Sequence, residues 1–381
     1  MRIAYCIPSC HKSGGMERVL SIKANYLADV LGWSVTIITT EQWEGARHFV
    51  FSDKIHFVCL DVNYSQDVGV LSVIANRSKR KRDHRRKLSS FLGKEKFDIC
   101  VSMFCHEMTF LASISDGSKK VLELHFCREF RYLDQLYNGK GLISRFMGCL
   151  QTRIERRAIK NYDAFVVLSK EDAANWGDAY KCTVISNPVE ESCAEEPDYS
   201  AKHAVAVGRL CPQKGFDLLM DVWAGLPESY IKEWRLAIYG SGNQEELKQR
   251  ISILGLENHV QLCGVTDDIP AVLRKSSVFC FSSRYEGFGM ALAEAMAAGL
   301  PPVSFSCPSG PSDIIEHGVN GYCVPVGDVA GFRRCLEGLM RSESLRKEQG
   351  RAAQTYIHAN YSLDKIMKQW VELFNQLTQC C

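Results

Sequence analysis

Short apolar runs alternate with longer amphipathic stretches along this chain. Residues 2–7 carry apolar weight in alternation and read as a buried strand. A polar loop with Ser13-Gly14-Gly15-Met16 follows, and residues 17–31 then place Val19, Leu20, Ala24, Leu27 and Leu31 on one helical face. The β-branched run 35–39 is a second strand. Strand, loop, helix and strand in that order predict the opening of a doubly wound α/β fold. Strand-like runs recur at 55–60, 98–103, 120–124 and 165–168, with intervals that suit helices, so the first half is predicted to form one Rossmann-like domain. Ile185-Ser-Asn-Pro-Val189 and an acidic, Pro-containing stretch to Ser200 mark a boundary, and we place the first domain at 1–187. The pattern then repeats over 188–362, with strands predicted at 203–207, 234–239, 259–262, 278–281 and 302–305. Helices are predicted over 244–254, 290–298, 329–341, 343–360 and 363–378.

A length of 381 residues fits two domains, and 46% hydrophobic with 10% aromatic residues suits a globular chain. No run of 18 apolar residues occurs, which argues against a membrane-spanning helix. The apolar part of the N-terminus is too short for a signal peptide and reads as the first strand. The 17 cysteines are odd in number and contain no Cys-x-x-Cys pair, which predicts reduced thiols rather than a disulfide framework or a zinc site. Cys380-Cys381 does not fit a C-a-a-X box. The net charge of +2 hides an asymmetry: residues 1–187 hold 28 Lys/Arg against 20 Asp/Glu, and residues 188–381 hold 18 against 24. The two halves therefore differ in the partners they favour.

Three stretches carry candidate chemistry. In residues 284–301, Glu286 precedes Gly287-Phe288-Gly289, a helix former begins at Met290, and Glu294 lies eight residues after Glu286. A Gly-rich turn feeding a helix leaves N–H groups free, and the helix dipole adds positive charge, so the turn suits an anion or a hydroxyl-rich ligand. Read alone, the stretch is also compatible with a capped helix bearing two surface acids. In Val207-Gly-Arg-Leu-Cys-Pro-Gln-Lys-Gly-Phe-Asp217, Arg209 offers a planar fork for phosphate and Lys214 a point charge. Such cations stabilise a diphosphate as a glycosidic bond breaks. Gly14-Gly15 opens the first helix without the full G-x-G-x-x-G, so a dinucleotide reading has little support.

Together these stretches resemble the retaining glycosyltransferases of family 4, and the resemblance covers most of the chain. It implies a GT-B fold, two Rossmann-like domains facing a central cleft, with the acceptor on the first and the nucleotide-sugar on the second. It further implies that a last helix, about 363–381, rejoins the first domain. By the same resemblance Glu286 and the backbone of Gly287, Phe288, Gly289 and Met290 hold the donor sugar, and Glu294 holds the ribose. Gly14 and Gly15 approach the donor phosphates, as Arg209 and Lys214 do. Gly240, in Gly240-Ser-Gly242, and Val265, after a strand end, lie near the nucleotide, although the former is equally readable as a tight turn. His125 is the candidate catalytic residue of the first domain, beside a structural reading of the same histidine. Alternation puts Glu123 on its face, so either is a candidate for the cleft.

The segment Asn76-Arg-Ser-Lys-Arg-Lys-Arg-Asp-His-Arg-Arg-Lys87 holds eight Lys/Arg against one Asp. It lacks the interleaved aromatics of a nucleic-acid surface, so nucleic acid is not expected. Residues 77–87 are assigned instead to an anionic membrane surface or a pyrophosphate-linked acceptor. The basic, partly apolar stretch 140–160 suits either a membrane interface or packing on the sheet. No Asp-x-Asp occurs, so no metal and no cofactor is expected. The predicted activity is retaining transfer of a hexose or N-acetylhexosamine from a nucleotide-sugar, a UDP-sugar by preference. The predicted acceptor is a lipid-linked glycan of O-antigen, capsule or exopolysaccharide synthesis, met on the cytoplasmic face of the inner membrane. The alternatives are a GDP-mannose-dependent mannosyltransferase, a GT-B nucleotide-sugar epimerase, and a non-catalytic binding module.

Overall fold

The computed structural model describes residues 1–11, 14–42, 45, 47–64, 70–139, 141–190 and 195–379, with backbone alone described for 70–75 and 142–146. The first half runs β1 (Arg2–Ile7), α1 (Gly15–Asn25), β2 (Ser34–Thr39), β3 (His56–Cys59), α2 (Val70–Glu95), β4 (Ile99–Ser102), β5 (Lys119–Glu123), α3 (Phe130–Tyr137), α4 (Leu142–Ile159), β6 (Ala164–Val167), α5 (Lys170–Trp176) and β7 (Cys182–Val184). These strands form a parallel seven-stranded sheet in the order β3-β2-β1-β4-β5-β6-β7. The order reverses its direction beside β1, which creates the crevice at strand C-termini where ligands lie in such sheets.

The second half runs β8 (His203–Val207), α6 (Phe216–Ala224), α7 (Glu228–Glu233), β9 (Arg235–Tyr239), α8 (Glu245–Ile253), β10 (Val260–Gly264), α9 (Ile269–Arg274), β11 (Val278–Phe281), α10 (Met290–Ala297), β12 (Pro302–Phe305), α11 (Pro311–Ile314), β13 (Tyr322–Val324), α12 (Val329–Arg341), α13 (Glu343–Tyr361) and α14 (Leu363–Gln379). Its sheet is parallel and six-stranded, in the order β10-β9-β8-β11-β12-β13. The chain is thus two Rossmann-like α/β domains of the GT-B kind.

Several boundaries differ from the sequence reading. The first helix is α-helical to Asn25 and finishes as a π-helical turn, Tyr26–Val30, with Leu31 N–H donating to the Tyr26 carbonyl at 3.3 Å. β7 and β13 have three residues each, too few for an alternation to register.

The chain leaves the first sheet at Val189 and returns at Ser362, where the two passages pair and Val189 N–H donates to the Tyr361 carbonyl at 2.8 Å. α14 then lies on the first half. Trp370 and Phe374 are fully buried there, and Phe374 meets Trp33 with ring centroids 6.3 Å apart. One core cluster consequently runs from Ile3, Tyr5 and Leu20 through Leu292 and Met296 to Trp370, joining both halves. Among the described residues no helix is long and apolar enough to cross a membrane.

Candidate active site

The loops after β8 and β11 of the second sheet carry a dense polar constellation. Lys214 Nζ lies 2.6 Å from Glu286 Oε1, with these side chains 14% and 10% exposed. Ser283 Oγ donates to the same carboxylate oxygen at 2.6 Å. The two loops that supply this pair are laced together. Ser282 Oγ donates to the Lys214 carbonyl at 2.8 Å, and Gln213 Nε2 donates to the Tyr285 carbonyl at 3.0 Å. Arg284 forks onto Asp217 at 2.8 and 2.5 Å, a geometry that fixes direction as well as distance. Arg209 is exposed and donates to Gln213 Oε1 at 3.2 Å. The cation and the carboxylate are therefore held in place by backbone-anchored loops before any ligand arrives.

α10 begins beside this pair. Its N-cap is Gly289 at φ +90°, and no side chain caps it, so first-turn N–H groups and the positive end of the helix dipole stay available. The Phe288 ring is buried against Tyr361, which leaves the backbone of this turn as its ligand-facing part. Gly287 is required for a different reason. A Cβ on it would stand 2.1 Å from the His125 carbonyl oxygen, so a larger residue pushes the two halves apart.

The first half meets this turn through α1. Gly14 is its N-cap, again without a side-chain cap, and a Cβ on Gly15 would lie 3.9 Å from Met290 Cγ. One turn further, Arg18 reaches across to Glu294 at 2.8 Å and to Glu190 at 3.5 Å. Burial raises the Glu294 carboxyl above its ordinary range, and Arg18 pulls it back. Two helix N-termini from opposite halves, the first with the Glu17 carboxylate folded back beside Gly14, thus lie near the cations Arg18 and Lys214, which are paired with Glu294 and Glu286. Helix N-termini and cations so placed have the chemistry that suits a polyphosphate.

His125 and Glu123 follow different courses. Glu123 takes both its oxygens to Lys23 Nζ at 2.6 and 2.7 Å, with side chains 1% and 0% exposed. The Trp370 ring lies 3.6 Å from that ammonium. Burial pushes the Glu123 carboxyl up, but Lys23 and His125 outweigh it and bring the carboxyl down to about 2. Burial likewise lowers Lys23, against the pull of Glu123. With contacts this short we take the pair as ionised. Glu123 is therefore sealed, and the His125 side chain is nearly as buried, so neither candidate for the cleft is open to it. The His125 side chain is 5% exposed, with Nε2 3.2 Å from Glu123 Oε1 but without hydrogen-bond alignment. Its backbone is what touches Gly287.

The nucleotide-side candidates line the same sheet edge. Gly240 N–H donates to the Gly264 carbonyl at 2.7 Å, and Gly208 N–H to the Tyr239 carbonyl at 2.9 Å, so the loops after β8, β9 and β10 run side by side. Val265, just past β10, is exposed.

Sequence reasoning missed several contributors. Arg18 lies one turn after Gly15, a spacing that points it at whatever the Gly-Gly loop faces, and this was the available signal. Nothing in the sequence announces Ser283, the Tyr137–Tyr285 stack at 6.2 Å across the cleft, or the Ser309 hydroxyl 3.2 Å from Asp172 Oδ1. The last two depend on segments far apart in the chain, and the Ser283 contact on the local turn that folds it back onto Glu286.

Comparison with known proteins agrees with this geometry. The family profile described as Glycosyltransferase Family 4 matches residues 13–192, and that described as Glycosyl transferases group 1 matches residues 194–356. A glycosyltransferase of Haemophilus influenzae, named as uncharacterized, is 26% identical over 377 residues, covering 97% of this chain and 98% of its own. The amylovoran biosynthesis glycosyltransferase AmsD of Erwinia amylovora is 36% identical over 172 residues, 45% of this chain and 47% of its own. Among solved structures, S. aureus TarM in complex with fondaparinux, alpha-GlcNAc-glycerol and UDP superposes with a TM-score of 0.76 at 16% identity, covering 98% of this chain and 100% of that one. The two profiles together take in nearly the whole chain, the fold is that of the solved enzymes, and the protein belongs to the family 4 glycosyltransferases of the GT-B fold.

Proposed function

We propose that this enzyme transfers a hexose or N-acetylhexosamine, with retention, from a UDP-sugar to a lipid-linked glycan during assembly of a surface polysaccharide. The observation that carries the reading is the Lys214–Glu286 pair at 2.6 Å beside the uncapped start of α10. Glu286 and the Gly287–Met290 backbone receive the sugar hydroxyls, and Glu294 receives the ribose. Lys214, Arg209 and the two helix N-termini meet the diphosphate. As the anomeric C–O bond breaks, its electron pair passes to the terminal phosphate oxygen, where Lys214 stabilises the growing charge. The acceptor hydroxyl attacks the same face and gives its proton to that phosphate, so UDP departs and the α configuration is kept. These cations do the electrostatic work without a metal. The lean to UDP rests on TarM, whose structure contains UDP. The polysaccharide acceptor rests on AmsD, named for amylovoran biosynthesis.

The membrane face is the first domain. Met147, Leu150 and Ile154 form an exposed stripe on α4, and Tyr132 and Leu136 are exposed on α3, which packs against it. Arg77 on α2 donates to Gln151 on α4 at 3.0 Å, which brings the start of the basic run 77–87 to the helix that carries that stripe. Apolar residues flanked by cations suit the cytoplasmic surface of an anionic bilayer.

The test is nucleotide release from UDP-, GDP- and ADP-sugars with purified enzyme and a bacterial lipid extract, no metal added. Release from a UDP-sugar that needs the extract and disappears in Lys214→Ala and Glu294→Ala supports the reading. Release from GDP-mannose moves the donor assignment. Conversion of the donor to its epimer without an acceptor overturns transfer, and a β-linked product overturns retention.

A further inference from the structure

The basic helix is more than a charged face. Ser78, Lys81, Arg82 and Arg85 of α2 line a groove of about 270 Å³ whose remaining wall is Phe110. Small-molecule sites generally span ~300–1,000 Å³, so this groove suits one compact anionic group rather than a whole glycan. Its floor is rigid. His84 is fully buried, meets Phe110 edge-on with centroids 5.1 Å apart, and lies 3.2 Å from the Tyr64 hydroxyl through Nδ1. Tyr64 in turn stacks on His106 at 3.9 Å. The cations above that floor lack counter-charges. Of the helix's two acids, Asp83 is taken by Arg86 and Lys87 and Glu95 by Arg2, and among the described residues no carboxylate lies within ion-pair distance of Lys81, Arg82 or Arg85. The neighbouring Arg77 and Arg80 are occupied, on Gln151 and on the Val62 carbonyl. The remaining positive field also registers on its neighbours: burial first, then Arg77 and Arg85, lower the Lys81 ammonium below its ordinary range.

Position adds to chemistry. Phe110 closes the segment that follows β4, and the C-terminal ends of strands are where an open parallel sheet receives ligands. A cation cluster without counter-charges beside a fixed aromatic side chain, near the C-terminal end of β4, suits an anion. We propose that this groove binds a phosphate or diphosphate ester, the group through which a lipid-linked acceptor is attached to its carrier. The proposal rests on the glycosyl-transfer reading for the identity of that acceptor, though the groove's own chemistry does not. Lys81 and Arg85, one turn apart, take the outer phosphate oxygens, and Ser78 donates from the turn before.

The test uses inorganic pyrophosphate and calorimetric titration of the full chain. Saturating UDP fills the donor cleft, and a parallel series in a Lys214→Ala background removes that cleft's cation, so the groove is read whether or not UDP binds. One further equivalent of pyrophosphate is expected, weakened about tenfold or more in Lys81→Ala/Arg85→Ala, since each lost contact is a charge-assisted hydrogen bond. The control Lys79→Ala/Arg86→Ala removes the same charge from the same helix outside the groove and is expected to bind as the parent does. Equal weakening in both variants, or no pyrophosphate equivalent beyond the donor cleft, overturns the proposal. A second arm sediments the variants with phosphatidylglycerol vesicles. If Lys81→Ala/Arg85→Ala loses vesicles yet titrates pyrophosphate as the parent does, the face is a membrane surface only and the groove assignment falls. Failure of UDP to bind the parent protein overturns the donor reading instead and leaves the pyrophosphate result standing.

Discussion

Each half of this enzyme places a lysine against a glutamate near the C-terminal edge of its sheet, and the two pairs have opposite fates. Lys23–Glu123 is closed under Trp370, with essentially no exposure of either side chain. Lys214–Glu286 has the same 2.6 Å contact but remains reachable from solvent, and its loops are glycine-rich and pinned to each other. Contact distance alone does not separate a sealed ion pair from one that a ligand can reach; access does. The first pair ties α1 and β5 to the last helix, so it stabilises the seat on which α14 joins the halves. The second can exchange partners when a ligand with hydroxyls and phosphates arrives.

The contrast is broken or sharpened by four measurements. Glu123→Ala leaves Lys23 charged and unpartnered in the core, and removal of one member of a buried pair destabilises by ~3–5 kcal/mol; urea unfolding is expected to show this. Lys23→Met/Glu123→Gln removes both charges and is expected to recover most of the loss. Lys214→Ala is expected to behave in the other way, with kcat falling about 10²–10³-fold, as when one preorganised transition-state donor is removed, and the urea midpoint nearly unchanged. A large midpoint shift in Lys214→Ala joined to a small one in Glu123→Ala would reverse the assignment of roles.

Acid gives the third measurement. The Glu123 carboxyl is lowered in the folded state from its ordinary 4.5 to about 2. Its contribution is therefore complete above pH 4.5 and is lost as pH falls through that interval. Stability followed by urea midpoint between pH 5 and pH 2.5 is expected to drop more steeply in the parent than in Lys23→Met/Glu123→Gln.

The smallest effect concerns Glu107, a buried carboxyl pushed up to about 7 by burial, against the Ser102 hydroxyl that donates to it at 2.6 Å. A raised acid favours the folded state only while protonated, so its penalty grows from about pH 4.5 to 7 and then levels off. Glu107→Gln is expected to stabilise at pH 8, by on the order of 1–2 kcal/mol, and to be neutral at pH 4. Equal effects at both pH values would mean that packing, not charge, sets the difference.

Much of this was legible in the linear chain. The β-branched and apolar runs fixed two parallel sheets because a strand buried on both faces must be apolar throughout. The turns at Gly14-Gly15, Arg209–Gly215 and Glu286–Gly289 were legible because glycine beside a helix start leaves backbone donors free, a local property that needs no tertiary partner. Distance information was not legible. That Arg18 meets Glu294, that Tyr137 stacks on Tyr285, and that Gly287 lies against His125 depend on how the halves close. Exposure was not legible either: Glu123 and Glu286 are both acids beside strand ends in sequence. The first is closed off by elements distant in the chain, among them α14, which crosses back to place Trp370 over Lys23, because burial is set by tertiary packing and not by the residue's own neighbours in the chain. The basic run was plain as charge, but its resolution into paired arginines and an unpaired groove over Phe110 belongs to the folded state, where counter-charges are assigned by distance.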